Sequence, residues 1–167
     1  VPVSIEAARA NGRTGSDLVG AVIAGYEIAG RLPKAIGTRN LYLAGLANHG
    51  IAPTFGAASA AASLMGLSPE QVDHMLAYCS QQASGSWQWL LDVRHIEKAF
   101  VFGGMGARSG LQAAYMAQLG FTGVPESFDN ENAWFRWRAF QGEGKDHASL
   151  VDGLHERYEL SLAAMKR

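Results

Sequence analysis

One cysteine, Cys79, occurs among the 167 residues. It cannot close an internal disulfide, and a single thiol is too little for a Cys-built zinc or iron–sulfur site. A reducing, cytoplasmic setting is the expectation that follows. Charge is scarce as well: 17% of the residues are Asp, Glu, Lys or Arg, against about 25% in an average soluble protein. The 14 basic and 15 acidic side chains nearly cancel, leaving a net charge of −1. That balance argues against a nucleic-acid partner, or an anionic membrane, held by bulk electrostatics. No apolar run reaches the roughly 18–20 residues needed to span a bilayer. The opening Val1-Pro2-Val3-Ser4-Ile5-Glu6 lacks the basic and apolar regions of a signal peptide. Repeats, long charge runs and Pro/Ser linkers are missing too, so the length reads as one domain.

Small residues are plentiful, with 20 glycines, and helical signals dominate. Ser4–Ala10 reads as a short helix closed by Asn11-Gly12. Ser16-Asp17 supplies an N-cap and an acidic first turn. The helix it starts is apolar nearly all round, which predicts burial, and Leu32-Pro33 is expected to break it after Gly30. Thr54–Leu64, TFGAASAAASL, predicts a central helix with close neighbours and Gly66 just past its end. Ser68-Pro69-Glu70-Gln71 combines Ser at the N-cap, Pro at N1 and Gln at capping-box spacing. Phe100-Val101-Phe102 is β-prone but too short to decide between strand and helix. Gly103-Gly104-Met105-Gly106 follows as flexible backbone. Ser109–Leu119 predicts an Ala-rich helix stopped by Gly120, and Lys145–Met165 predicts a last helix. No alternating β pattern is present. The expected fold is all-α, a multi-helix, bundle-like domain.

The five histidines, at 49, 74, 95, 147 and 155, show neither H-x-x-x-H nor H-E-x-x-H spacing, so no metal site is predicted. His49 precedes the small-residue helix. A loop imidazole at a helix entrance can move protons near neutral pH, or can simply bond to backbone. Gly104-Met105-Gly106 with Gly110 is one residue off the dinucleotide fingerprint. Its milder reading is glycine-rich backbone feeding a helix N-terminus, with Arg108 in the same turn to pair a carboxylate. Tight helix packing through the glycines accounts for the same pattern. Lys98 is either a solvated helix-end charge or a cation for substrate. Ser84-Gly85 reads as a turn, and Lys166-Arg167 as a polar tail.

Three stretches together resemble the MmgE/PrpD family. They are SDLVGAVIAGYEIAGRL (Ser16–Leu32), TFGAASAAASLMGLSPEQVDHMLAYCSQQASG (Thr54–Gly85) and EKAFVFGGMGARSGLQAAYMAQLGFTG (Glu97–Gly123). The resemblance implies a large helical domain with a smaller lid, usually a homodimer, and no cofactor or metal. Residues 1–167 resemble the central part of that helical domain, without the lid. The family includes 2-methylcitrate dehydratase, cis-aconitate decarboxylase and iminodisuccinate epimerase. Their shared chemistry is proton movement beside a carboxylate, so the implied substrate is a small di- or tricarboxylate.

Carried over residue by residue, the resemblance makes His49 and Lys98 the catalytic candidates. Arg108, Lys166 and Ser84 become substrate-binding candidates. Ungapped, Ala47 falls at the family's catalytic histidine, with His49 two residues later, and a second family histidine falls at Val101 or Phe102. The implied function is a cofactor-independent lyase. A decarboxylase, an epimerase, and a non-catalytic carboxylate-binding or dimerising homologue are the alternatives.

Overall fold

The computed structural model describes residues 1–162, so Lys166 and the end of the expected last helix lie outside the described residues. Helix α1 spans Pro2–Ala10, with proline in the first turn where its missing N–H costs nothing. Helix α2 spans Gly15–Ile36. Its cap is Thr14 rather than Ser16. The Thr14 hydroxyl accepts from the Asp17 N–H at 3.2 Å, and Asp17 accepts from the Thr14 N–H at 2.8 Å. The Thr14 hydroxyl also donates to Asp17 Oδ2 at 2.7 Å, and that bond, followed by the one from the Thr14 N–H, holds the Asp17 carboxyl below its ordinary pKa. Pro33 does not break α2. Leu32, Pro33, Ala35 and Ile36 are buried, and the helix continues to Gly37, whose φ of 85° ends it. Tertiary burial here outweighs the local cost of an interior proline. The expectation of burial all round also fails, because Val19 and Tyr26 leave one face of α2 exposed.

Helix α3 is short, Thr38–Leu43. Helix α4 spans Asn48–Met65 and passes through Pro53, so it starts six residues before the expected Thr54. His49 therefore stands in the first helical turn and not in a loop. Gly66 caps the far end in the left-handed region (φ 70°). Ile51, Phe55, Ala58, Ala61 and Leu64 are essentially inaccessible, which makes α4 the central helix that its small residues predict. Helix α5, Pro69–Gln82, begins with the capping box read from Ser68 and Gln71.

Ile96–Ala99 (α6), a π-helical turn over Phe100–Met105, and Gly106–Gln118 (α7) run on without interruption. The β-prone Phe100-Val101-Phe102 is thus helical. Among the described residues the only β pairing is an isolated bridge between Leu46 and Ser86. The dinucleotide reading fails with the strand it required. The anion-pocket reading fails too, because α7 continues a preceding turn and has no free N–H groups at its start. Two of the glycines, Gly106 and Gly110, serve packing. A Cβ on Gly110 would collide with the Thr54 carbonyl, and one on Gly106 would lie 2.7 Å from Pro53 Cβ. That close crossing sets α7 against α4. Gly25 and Gly56 do the same for α2 against α4, where a Cβ on Gly25 would meet the Gly56 carbonyl oxygen at 2.8 Å.

The expected helix over Lys145–Met165 is replaced by a 3-10 turn at His147–Leu150, further turns, and a short α8 at Glu159–Leu162. Gly153 (φ 61°) and His155 (φ 69°) are both left-handed, which no continuous helix permits. Backbone groups left without helical partners are bound by an ion pair from α2. The buried Arg31 donates to Glu27 Oε2 (3.0 Å) and to the carbonyls of Ser149 (3.1 Å), Asp152 (2.7 Å) and Arg157 (3.0 Å). Glu27 Oε1 accepts from the Glu159 N–H at 2.6 Å. The Y-E-x-x-x-R pattern in α2 is therefore a clamp on the C-terminal segment. Between α7 and that segment, Trp134, Phe135 and Phe140 fold inward, and Trp134 stacks on Phe55 at 5.3 Å.

Candidate functional site

The start of α4 is locked to the loop after α5. Ala47, its N-cap, donates its N–H to the Gly85 carbonyl at 2.6 Å. Gly50 must lack a side chain, because the Ser84 carbonyl and the Gly85 Cα occupy the space a Cβ would need. The chain then enters a 3-10 turn, Trp87–Leu91, capped by Ser86. Asp92 follows and accepts the Lys98 backbone N–H at 2.9 Å. That bond, more than any other contact, holds the Asp92 carboxyl below its ordinary pKa. A charged carboxylate at the start of α6 also suits the helix dipole.

These constraints bring five aromatic rings onto one face. His49 stacks on Phe102 at 4.3 Å and 26°, and meets Trp89 edge-on at 5.7 Å and 76°. Trp89 also meets Phe102 at 4.9 Å and Trp87 at 5.5 Å, and Trp87 meets Tyr42 at 5.0 Å. Lys98 Nζ stands 5.7 Å from the Trp89 ring centroid, within cation–π range. His49 and Lys98 therefore share one ring as a common neighbour. The π turn contributes to this, because its wider i→i+5 spacing alters the register between Phe100 and α7.

The remaining candidates are placed differently. Ser84 is exposed in the loop that backs onto Gly50, next to His49 in sequence. Arg108 is exposed and lies 5.7 Å over Phe100, not over Trp89 or Phe102. Lys166 lies outside the described residues. Ala47, at the family's histidine position, is a buried N-cap and offers no proton-transfer group. Of the two positions at the second histidine, Val101 is buried and Phe102 supplies the ring on which His49 stacks. Trp87 and Trp89 are the site residues that sequence reasoning missed. Their only sequence signal is an aromatic pair just after the S-Q-Q-A-S-G loop.

A cavity of about 360 Å³ borders this face, touching Phe102 and Gly103 on one side and Val22, Gly25, Tyr26 and Gly56 on the other. The larger cavity, about 670 Å³, lies elsewhere, between Leu32, Met75, Leu76, Phe135, Arg136 and His147. Burial, reinforced by the nearby Arg136 charge, lowers the pKa of His147 there. Among the described residues, no group of three His, Cys, Asp or Glu side chains is placed to hold a metal ion. Cys79 is buried and its thiol is pushed up to about 12, so it is unreactive as a nucleophile. No helix among the described residues is long and apolar enough to cross a membrane.

Fold and face together define an all-α domain that presents a histidine and a lysine on an aromatic wall. The chain belongs to the MmgE/PrpD family: the family model described as the MmgE/PrpD N-terminal domain matches residues 1–146. The segment held by Arg31 lies beyond that match. A cis-aconitate decarboxylase-like protein of Aspergillus oryzae (strain ATCC 42149 / RIB 40) is 31% identical over 139 residues, which is 79% of this chain. The chain spans 27% of that relative's length. Family and relative together make this a member of an enzyme family that contains a decarboxylase-like protein.

Proposed function

We propose that the protein is a cofactor-independent lyase of the 2-methylcitrate dehydratase type. It would act on a small di- or tricarboxylate by proton transfer at the carbon beside a carboxylate. The observation that carries this reading is the shared contact of His49 and Lys98 with Trp89. Removing a proton next to a carboxylate builds a second negative charge on that group. An ammonium alongside stabilises the resulting enediolate-like state. An imidazole can take the proton and return it elsewhere. In these roles His49 is the proton-transfer group and Lys98 the charge stabiliser. Ser84, Arg108 and Lys166 would hold the rest of the substrate.

The same groups would serve epimerisation, in which the proton returns to the opposite face, and decarboxylation, in which CO2 leaves and the resulting carbanion takes up a proton; the name of the Aspergillus relative favours decarboxylation as the second reading. Exposed apolar side chains, among them Leu91, Val93, Leu119 and Val124, support the further proposal of a homodimer. A cytoplasmic setting completes the reading. The test is to assay the intact protein against a panel of citrate-like acids, with and without EDTA. Turnover of at least one acid, unchanged by EDTA, is the expected result. Turnover abolished by EDTA would refute the cofactor-independent mechanism, and inactivity towards every acid in the panel would refute the lyase.

A further inference from the structure

Trp89, which lies against Lys98, and the neighbouring Trp87 have hydrogen-bonding capacity that the fold leaves unused. Trp87 Nε1 and Trp89 Nε1 are both shielded from water, and neither has a hydrogen-bond partner among the described residues. An indole N–H can only donate, and a buried donor without an acceptor is costly and uncommon. Here two such donors occur on adjacent rings, 5.5 Å apart and tilted by 31°. The Lys98 ammonium lies against the second ring, and it too has only donors to offer. What this cluster lacks is an acceptor carrying negative charge. A carboxylate has two oxygens and about four lone-pair sites, enough for two N–H donors and an ammonium together.

We propose that Trp87 and Trp89 donate their indole N–H groups to the substrate carboxylate that flanks the reacting carbon, with Lys98 neutralising its charge. This rests on the reading of the His49–Lys98 face as the substrate site, and it names the group that the site recognises. His49 touches the same Trp89 ring, so a carboxylate held there directs its neighbouring carbon towards the imidazole. None of the five residues of the Trp87–Leu91 turn is fully buried, so an acid would meet the indoles without crossing the core. The aromatic faces of Phe102 and His49 then supply a flat wall, suited to the planar enediolate-like state.

Trp87→Phe and Trp89→Phe each remove an N–H and keep an aromatic ring. Binding is read by calorimetric titration of the intact protein with succinate and with citrate as probes. Each variant is expected to bind the better probe about tenfold more weakly, the usual scale for a hydrogen bond to a charged group. Each should melt at or above the wild-type temperature, because an unsatisfied buried donor has been removed. A merely structural role for these rings would lower the melting temperature and leave affinity unchanged. The wild type provides a second reading, since both indole N–H proton resonances should move downfield as the probe saturates. Wild-type affinity in both variants, unmoved indole resonances at saturation, or no saturable binding of either acid would each overturn the proposal. Weakened binding without turnover of any acid would leave this subsite standing and remove the lyase. Turnover with unchanged affinity in both variants would do the reverse.

Discussion

Replacing Arg31 with Met is expected to destabilise the fold by about 3–5 kcal/mol, the cost of breaking one side of a buried ion pair. Arg31 is fully buried, and its guanidinium joins Glu27 to three backbone carbonyls of the C-terminal segment. Methionine fills much of the same volume but leaves Glu27 as a buried charge without its counter-ion. It also strands the carbonyls of Ser149, Asp152 and Arg157, which no helix satisfies. Arg31→Lys should lose less, because it keeps the charge, yet a single ammonium cannot span three carbonyls in the way the planar fork does. Urea denaturation at constant m-value measures the loss. Limited proteolysis should show new cleavage between residues 149 and 159. A loss below about 1 kcal/mol, with no new cleavage, would mean that the clamp is not what holds the segment.

Replacing His49 with Gln is expected to lower turnover of the preferred acid by about 10²–10⁴-fold, the usual contribution of a positioned acid–base group. Glutamine can keep a polar contact in the same turn but cannot exchange a proton near neutral pH. His49 is exposed and held by ring contacts rather than by the core, so the variant should fold normally. KM should change little if the carboxylate is bound by Lys98 and the indoles and not by the imidazole. The result is then a fall in kcat with a nearly constant KM. Equal falls in thermal stability and kcat would instead identify His49 as a packing residue on Phe102.

Local signals located much of the helical framework. The capping box at Ser68–Gln71 and the run of small residues before Gly66 are short-range features, and both predicted their helices. The passage of α2 through Pro33 and of α4 through Pro53 was not legible. In each case burial by distant helices outweighs a local rule. The C-terminal segment was misread for a related reason. Its backbone is satisfied by Arg31, a residue far back in the chain, and nothing in the spacing of Leu150, Leu154 and Leu160 reveals that partner. The π turn was hidden because Phe100-Val101-Phe102 looks β-prone and the glycines after it look loose, whereas Gly106, with Gly110 beyond it, packs α7 against α4.

The candidate site divides along the same line. His49 stands out by residue type, two residues from the family's histidine position, and Lys98 by residue type and family pattern; the fold brings both to Trp89. Arg108 was singled out by the family pattern and by an expected helix N-terminus; the helix runs on without that N-terminus, and Arg108 lies over Phe100. Trp87 and Trp89 escaped notice because an aromatic pair is more often packing than chemistry. Only the geometry shows two adjacent indole N–H groups without acceptors, one of them on the ring beside Lys98.

The most direct test of proton transfer at this face is deuterium incorporation. The intact protein is incubated in D2O with the acid it turns over, and the proton signal of the carbon beside the carboxylate is followed by NMR. The account predicts loss of that signal with the wild type and a rate at least about 100-fold lower with His49→Gln. Exchange at the wild-type rate in that variant would contradict the account.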